Sequence, residues 1–163
     1  MYDRTVPVFT HGLKAMSAIL TKAEAHCAER KIDPSVLLTD RLYPDMLPFT
    51  RQVQIATDHA RRCPARLAGV EPVSMADTEA TFPELRDRIA RSVEHIATFT
   101  PASFEGAAER TITFKAGPRD MTFTGSDYVG FFALPNFYFH LTAAYAILRH
   151  DGVPLGKTDF MGG

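Results

Sequence analysis

Residues Phe131 to Gly152 constrain the fold more than any other stretch of this sequence. They run almost wholly apolar, as Phe131-Phe132-Ala133-Leu134-Pro135-Asn136-Phe137-Tyr138-Phe139-His140 and on through Leu141. A segment of that length and composition reads as one long helix buried against partners, so the rest of the chain must cover it. Two polar side chains, Asn136 and His140, sit one helical turn apart on it. An unpartnered polar group costs free energy in a core, so the pair implies either a ligand pocket or a satisfied core hydrogen bond. Pro135 cannot donate to the carbonyl of Phe131, and its ring bends a helix, so a break is expected just before Asn136.

The covering elements follow from periodicity. Residues 4–30 place Phe9, Leu13, Met16, Leu20, Ala23 and Cys27 at three-to-four spacing, the stripe of a first long helix that ends at Asp33-Pro34. Ser35 to Tyr43 reads as a connector with one short helical turn. A second long helix is expected from Asp45, as N-cap, to Cys63-Pro64, with Pro48 in the first turn, where its missing N–H is harmless. Its inward stripe is Met46, Phe49, Val53, Ala56 and Ala60. Gln52 lies at the edge of that stripe, on the side of Asp45, and Gln54 pairs with Asp58 on the opposite flank. Thr81-Phe82-Pro83-Glu84 is a capping box that opens a third helix, with Leu85, Ile89, Val93 and Ile96 as its core face and Thr100-Pro101 as its stop.

The period then changes. Thr111-Ile112-Thr113-Phe114 alternates, Ala116-Gly117-Pro118-Arg119 reads as a turn, and Met121-Thr122-Phe123-Thr124 alternates again. A lone hairpin is marginal in water and must pack against a helix. Ser126 is the expected N-cap of the last helix, Gly152 its stop, and Leu155 and Phe160 dock the tail on the body. The expectation is an all-α, up-down-type four-helix bundle with one crossover link and a short β-hairpin before the last helix, in a single domain over 1–163.

Composition excludes more than it identifies. A chain of 163 residues has room for one sizeable core. A formal net charge of -1 offers no nucleic-acid surface, and Arg61-Arg62 reads as a solvated helix face. No uninterrupted apolar run reaches the ~20 residues of a membrane span. No secretory signal is visible, so a cytoplasmic location is expected. Cys27 and Cys63 lack metal-type spacing and read as buried free thiols. His11, His26, His59, His95 and His150 have no partner at metal spacing and are assigned to the surface. Ser-His-Asp, nucleophile-elbow and phosphate-loop motifs are absent.

The run His140-Leu141-Thr142-Ala143-Ala144-Tyr145-Ala146-Ile147-Leu148-Arg149-His150-Asp151-Gly152-Val153 resembles the last helix of the DinB/YfiT-like superfamily, where a His precedes a Leu-Arg-x-x-Gly ending. Within that superfamily the whole chain resembles a family known only as a domain of unknown function. The marks are Asp45-Met46-Leu47-Pro48-Phe49, Gln52-Val53-Gln54, Thr81-Phe82-x-Glu84-Leu85, Ala133 to His140, and Leu155-Gly156-Lys157-x-Asp159-Phe160. The resemblance implies a DinB-like bundle. It also implies the site of the metal-binding members, one His from the second long helix and an HxxxH pair on the last.

This sequence departs from that pattern. His140 matches the second His of the pair, Asn136 takes the place of the first, and the remaining ligand falls at Gln52 or Gln54. Asp45 or Asp58 would help only by pointing inward. One imidazole and two carboxamides make a weak donor set for zinc or nickel, since amides are neutral and donate poorly. No metal or other cofactor is therefore expected, and His140 is the one ligand to be expected if zinc or nickel binds.

Three functions remain in play. The first is a small-molecule-binding bundle with a degenerate metal site, its polar pocket built from His140, Asn136, Gln52, Gln54 and Asp45. The second, implied by the resemblance alone, is a metal-dependent thiol S-transferase. The third is a structural homodimer, suggested by an aromatic run, Phe131, Phe132, Phe137, Tyr138 and Phe139, that exceeds what one core needs.

Overall fold

The computed structural model describes residues 1–163. Its body is four long helices, α1 (Val6–Arg30), α3 (Phe49–Ala68), α4 (Phe82–Ile96) and α6 (Leu134–His150). A short α2 (Pro34–Thr39) precedes α3, the hairpin β1 (Thr111–Ala116) and β2 (Arg119–Thr124) precedes the last helical run, and α7 (Lys157–Phe160) closes the chain. One contiguous apolar core draws on all four long helices.

The expected α1 stripe is buried at all six positions, because three-to-four spacing keeps those side chains on one face. Lys31, in the left-handed conformation at φ 56°, ends the helix, and Asp33 caps α2 by accepting from the Ser35 N–H at 2.9 Å. The Thr81–Glu84 capping box forms as read: the Thr81 hydroxyl accepts from the Glu84 N–H, and the Glu84 carboxylate accepts from the Thr81 N–H.

The ends of α3 differ from expectation. The helix starts at Phe49 with Pro48 in the cap position, and Asp45 sits exposed in the preceding turn. Asp45 therefore caps nothing. Pro48, with no N–H to leave orphaned, takes the boundary instead. Pro64 does not end the helix. It lies inside it, Ala65 and Leu67 beyond it are buried, and Gly69 at φ 75° makes the stop.

The hairpin closes through Gly117 and Pro118, with Ala116 paired to Arg119. Gly117 has φ 59°, a conformation that glycine takes at no steric cost in a two-residue turn. Phe114 and Phe123 stack on each other and pack against Tyr128 and Phe132, giving the hairpin the helical support that it needs.

The last helical run starts at α5 (Gly125–Asp127), capped by Thr124 rather than Ser126. The Thr124 hydroxyl accepts from the Asp127 N–H at 3.2 Å. A π-helical stretch, Tyr128–Ala133, then leads into α6, with Pro135 in its first turn. The expected kink is thus met by a widened turn, which absorbs the missing proline donor before the α-helix resumes. The joined run Gly125–His150 is 26 residues long and contains an 18-residue window of mean hydropathy 1.3, enough by length and composition to cross a membrane. Here Phe137, Leu141, Ala144, Ile147 and Leu148 bury it as a core helix of the bundle.

Arg61 and Arg88 are almost fully buried, contrary to the reading of Arg61-Arg62 as a solvated face. Asp58 pairs with Arg61, Arg62 and Arg88, and Arg88 also reaches Asp77 and Glu79. This network fastens the connector of residues 69–80 to α3 and α4.

Candidate functional site

The α3–α6 seam carries the polar group that the sequence pointed to. Gln52 is buried, and its amide nitrogen donates to the Leu47 carbonyl at 2.9 Å. That contact fixes the orientation of the amide, leaving Oε1 to face His140 Nδ1 at 2.7 Å. Since Oε1 can only accept, Nδ1 carries the proton and Nε2 keeps its lone pair. Burial holds the His140 pKa below its ordinary value, so the ring stays neutral near pH 7.

His59 completes the group. It lies two turns beyond Gln52 on the same face of α3 and stacks on His140, with ring centroids 5.9 Å apart and planes 17° apart. The Phe132 ring also packs on His59, with centroids 5.7 Å apart and planes tilted by 56°. Burial first, then the charges of His140, Arg62 and Arg66, push the His59 pKa down to about 4. Two neutral imidazoles from facing helices are thus held together, where they can accept protons or hydrogen bonds but carry no charge.

The other expected pocket residues lie elsewhere. Asn136 folds back on its own helix and donates to the Phe132 carbonyl at 2.7 Å. Its amide is occupied by the backbone next to the π-helical stretch. Gln54 faces the opposite flank, accepting from Arg51 at 2.6 Å and donating to Glu79 at 2.8 Å. Asp45 is exposed and apart from the seam. The structure therefore brings together His140 and Gln52, adds His59, and separates Asn136, Gln54 and Asp45 from them.

A cleft of about 360 Å³ opens at His59. His59 and Phe132 form part of its lining, with Arg51, Arg62 and Arg66 from α3 and Lys115 from the hairpin around them. His140 and Gln52 stand behind His59 rather than in the cleft itself. A wider cleft of about 610 Å³ continues along the hairpin and the 69–74 connector, sharing Arg62, Arg66, Phe114 and Lys115 with the first.

These residues do not fit a divalent metal. His140 keeps one free donor, Nε2, but the Asn136 amide folds back toward the Phe132 carbonyl, and no three His, Cys, Asp or Glu side chains converge. A three-ligand site needs donors aimed at one point, and this seam offers two stacked imidazoles and a committed amide.

His59 is the site residue that sequence reasoning missed. The signal was present, since a seven-residue spacing from Gln52 places it on the same face. Treating each histidine only by its distance to other histidines hid it.

The family model described as "Domain of unknown function (DUF1993)" matches residues 1–161. The crystal structure of a DinB family member protein from Shewanella denitrificans is similar at 43% sequence identity and a TM-score of 0.93, covering 99% of this chain and 92% of that one. No curated protein matches the chain.

Proposed function

This chain belongs to the DUF1993 family and has the DinB-like fold, and we propose that it binds a small molecule through the polar seam of His140, Gln52 and His59. The observation that carries this reading is the His59–His140 stack, buttressed by Gln52 and opening on a cleft. Two imidazoles kept neutral, at the edge of a cavity, are a poor way to fill a core and a good way to meet a ligand. His59 is the ring that touches the ligand, and His140 with Gln52 holds it in place. The scaffold is that of a metal site whose donor set is degenerate, so a metal-dependent thiol transferase is the less favoured reading.

The test has two arms. A thermal-shift screen of common metabolites, followed by side-chain NMR of the histidines, should find a compound that moves the His59 ring signals. His59→Ala should remove that response. A screen in which no compound moves either the melting temperature or the His59 signals would sink the reading. In the second arm, untagged protein titrated with zinc should bind it no tighter than micromolar, and His140→Ala should not change this. Nanomolar zinc that disappears in His140→Ala would restore the metalloenzyme.

A second property is favoured by a separate observation. Phe131 is 76% exposed, Phe139 58% and Tyr43 64%, and Phe139 lines a shallow groove with Leu42, Met46, Tyr138, Thr142, Ala143 and Ala146. That groove holds no charged residue, so its natural complement is an equally apolar face, and a second copy of the chain supplies one by two-fold symmetry. We propose a homodimer across α6. Sedimentation at micromolar concentration should give twice the chain mass, and Phe139→Glu should give the monomer. A wild-type monomer under those conditions contradicts it.

A further inference from the structure

We infer that the ligand of this site carries an anionic group, a carboxylate or a phosphate, held by Arg66, Arg110 and Lys115 in the wider cleft. The inference rests on the small-molecule reading above, because Arg66 and Lys115 line both clefts.

Most cations around the site already have carboxylate partners. Arg51 pairs with Asp77, Arg62 with Asp58, and Arg88 with Asp58, Asp77 and Glu79. Three do not. The Arg66 guanidinium lies 3.9 Å over the Phe114 ring and donates to the Tyr128 hydroxyl at 2.9 Å. Arg110 donates only to the backbone carbonyls of Leu67 and Glu105. Lys115 is exposed and forms no ion pair. All three line the wider cleft, where Glu71 is the one acidic side chain. With 18 Lys and Arg against 19 Asp and Glu, the chain has no general excess of positive charge, so this accumulation is local.

The chemistry favours a ligand group over solvent. Arg66 is clamped between an aromatic face and a phenol, so little side-chain entropy is lost when its free N–H groups engage an oxyanion. A guanidinium presented in this way matches the fork of a carboxylate or phosphate. The hydroxyls of Ser74 and Thr111 line the same cleft and can donate to remaining oxygens. An anion seated there lies on the wall shared with the His59 cleft, which directs the rest of the molecule toward the imidazoles.

The test is an NMR titration of the full chain with inorganic phosphate and, separately, acetate, each against sodium chloride at matched ionic strength. Saturable shifts are expected at Thr113, Phe114 and Lys115 and at the Arg66 side chain. Arg66→Met should weaken binding about tenfold, as loss of a charged hydrogen-bond donor implies. Because Arg66 also anchors Tyr128, that variant could unfold. Lys115→Met is exposed, leaves the fold intact, and should weaken binding roughly threefold by loss of one screened charge. The stronger of the two anions assigns the group. No saturable response in the wild type, or an unchanged response in Lys115→Met, overturns the inference. So does loss of phosphate binding in His59→Ala, which would place the anion on the histidines. Phosphate binding as expected, with no metabolite reaching His59, would instead fail the small-molecule reading and leave the anion site standing.

Discussion

Arg88→Met is expected to destabilise the protein by about 3–5 kcal/mol, the range found when one partner of a buried charge network is removed. For a domain of this size that corresponds to a fall in melting temperature of roughly 10 °C. The Arg88 side chain is fully buried, and each of its nitrogens is used. Nε donates to the Thr57 hydroxyl at 2.7 Å, Nη1 to the Ala76 carbonyl at 2.9 Å and to Glu79, and Nη2 to Asp58 at 2.9 Å. Methionine fills much of the volume and replaces none of these bonds. Glu79, itself nearly buried, is left with the Gln54 amide at 2.8 Å and a distant Arg91 at 3.9 Å. An uncompensated carboxylate in that position is the main source of the loss. Glu79→Gln in the same chain should recover part of it, because the charge that lacked a partner is gone. Urea unfolding of the two variants measures both effects. A loss below 1 kcal/mol would mean that desolvation cancels the network. The 69–80 connector, pinned through Ala76, Asp77 and Glu79, should also show faster amide exchange, and its residues form one wall of the cationic cleft.

The same arginine shows where the sequence stops being legible. The stripe of α1, the Thr81–Glu84 box and the hairpin turn could be read because each is a local rule: a period, a cap, a glycine with positive φ. The burial of Arg61 and Arg88 could not. Asp58 on α3 is one partner of both, but the others, the Val73 carbonyl for Arg61 and Asp77 and Glu79 for Arg88, lie in a connector without periodic structure that only the folded chain brings against α3 and α4. Boundary errors had a common cause. Asp45, Pro64 and Ser126 were read by residue type, whereas Pro48, Gly69 and Thr124 won by position relative to the packed face. At the site, His140 and its need for a polar partner were legible from one helix. The choice of Gln52 over Gln54 was not, because it depends on the rotation of α3 against α6. The kink before Asn136 was legible, but its consequence, an amide spent on the Phe132 carbonyl, required the π-helical geometry.

Phe137→Ala is expected to cost about 3–5 kcal/mol, and Gly12→Ala should reverse the sign of its effect between the two backgrounds. Phe137 is fully buried on the face of α6 that meets α1, edge-on to Phe9 with centroids 4.9 Å apart. Its ring occupies the space over Gly12, where an added Cβ would lie 2.8 Å from Cε1 and 2.9 Å from Cζ. No real Cβ tolerates that approach, and the ring, wedged between helices, has little room to shift. Gly12→Ala in the wild type should therefore destabilise by about 1–3 kcal/mol through overpacking, despite alanine's better helix propensity. Once Phe137 is alanine the obstruction is gone. The nearest remaining atom is Leu141 Cδ1 at 3.0 Å, the end of a flexible side chain that now has a cavity to move into. Gly12→Ala then contributes its helix propensity of about 1 kcal/mol and part of the lost contact area, and the double variant should be more stable than Phe137→Ala alone. The coupling between the two positions, read from chemical denaturation of all four proteins, should exceed 2 kcal/mol. Additive effects would show that Gly12 is not what lets α1 and α6 approach. Because His140 lies nearly one turn beyond Phe137 and is held by Gln52 on α3, its Nδ1 proton should keep the same NMR shift in every folded member of the cycle. A shift that moves with Phe137 would mean that the α1–α6 contact, and not the α3–α6 seam, sets the position of the imidazole.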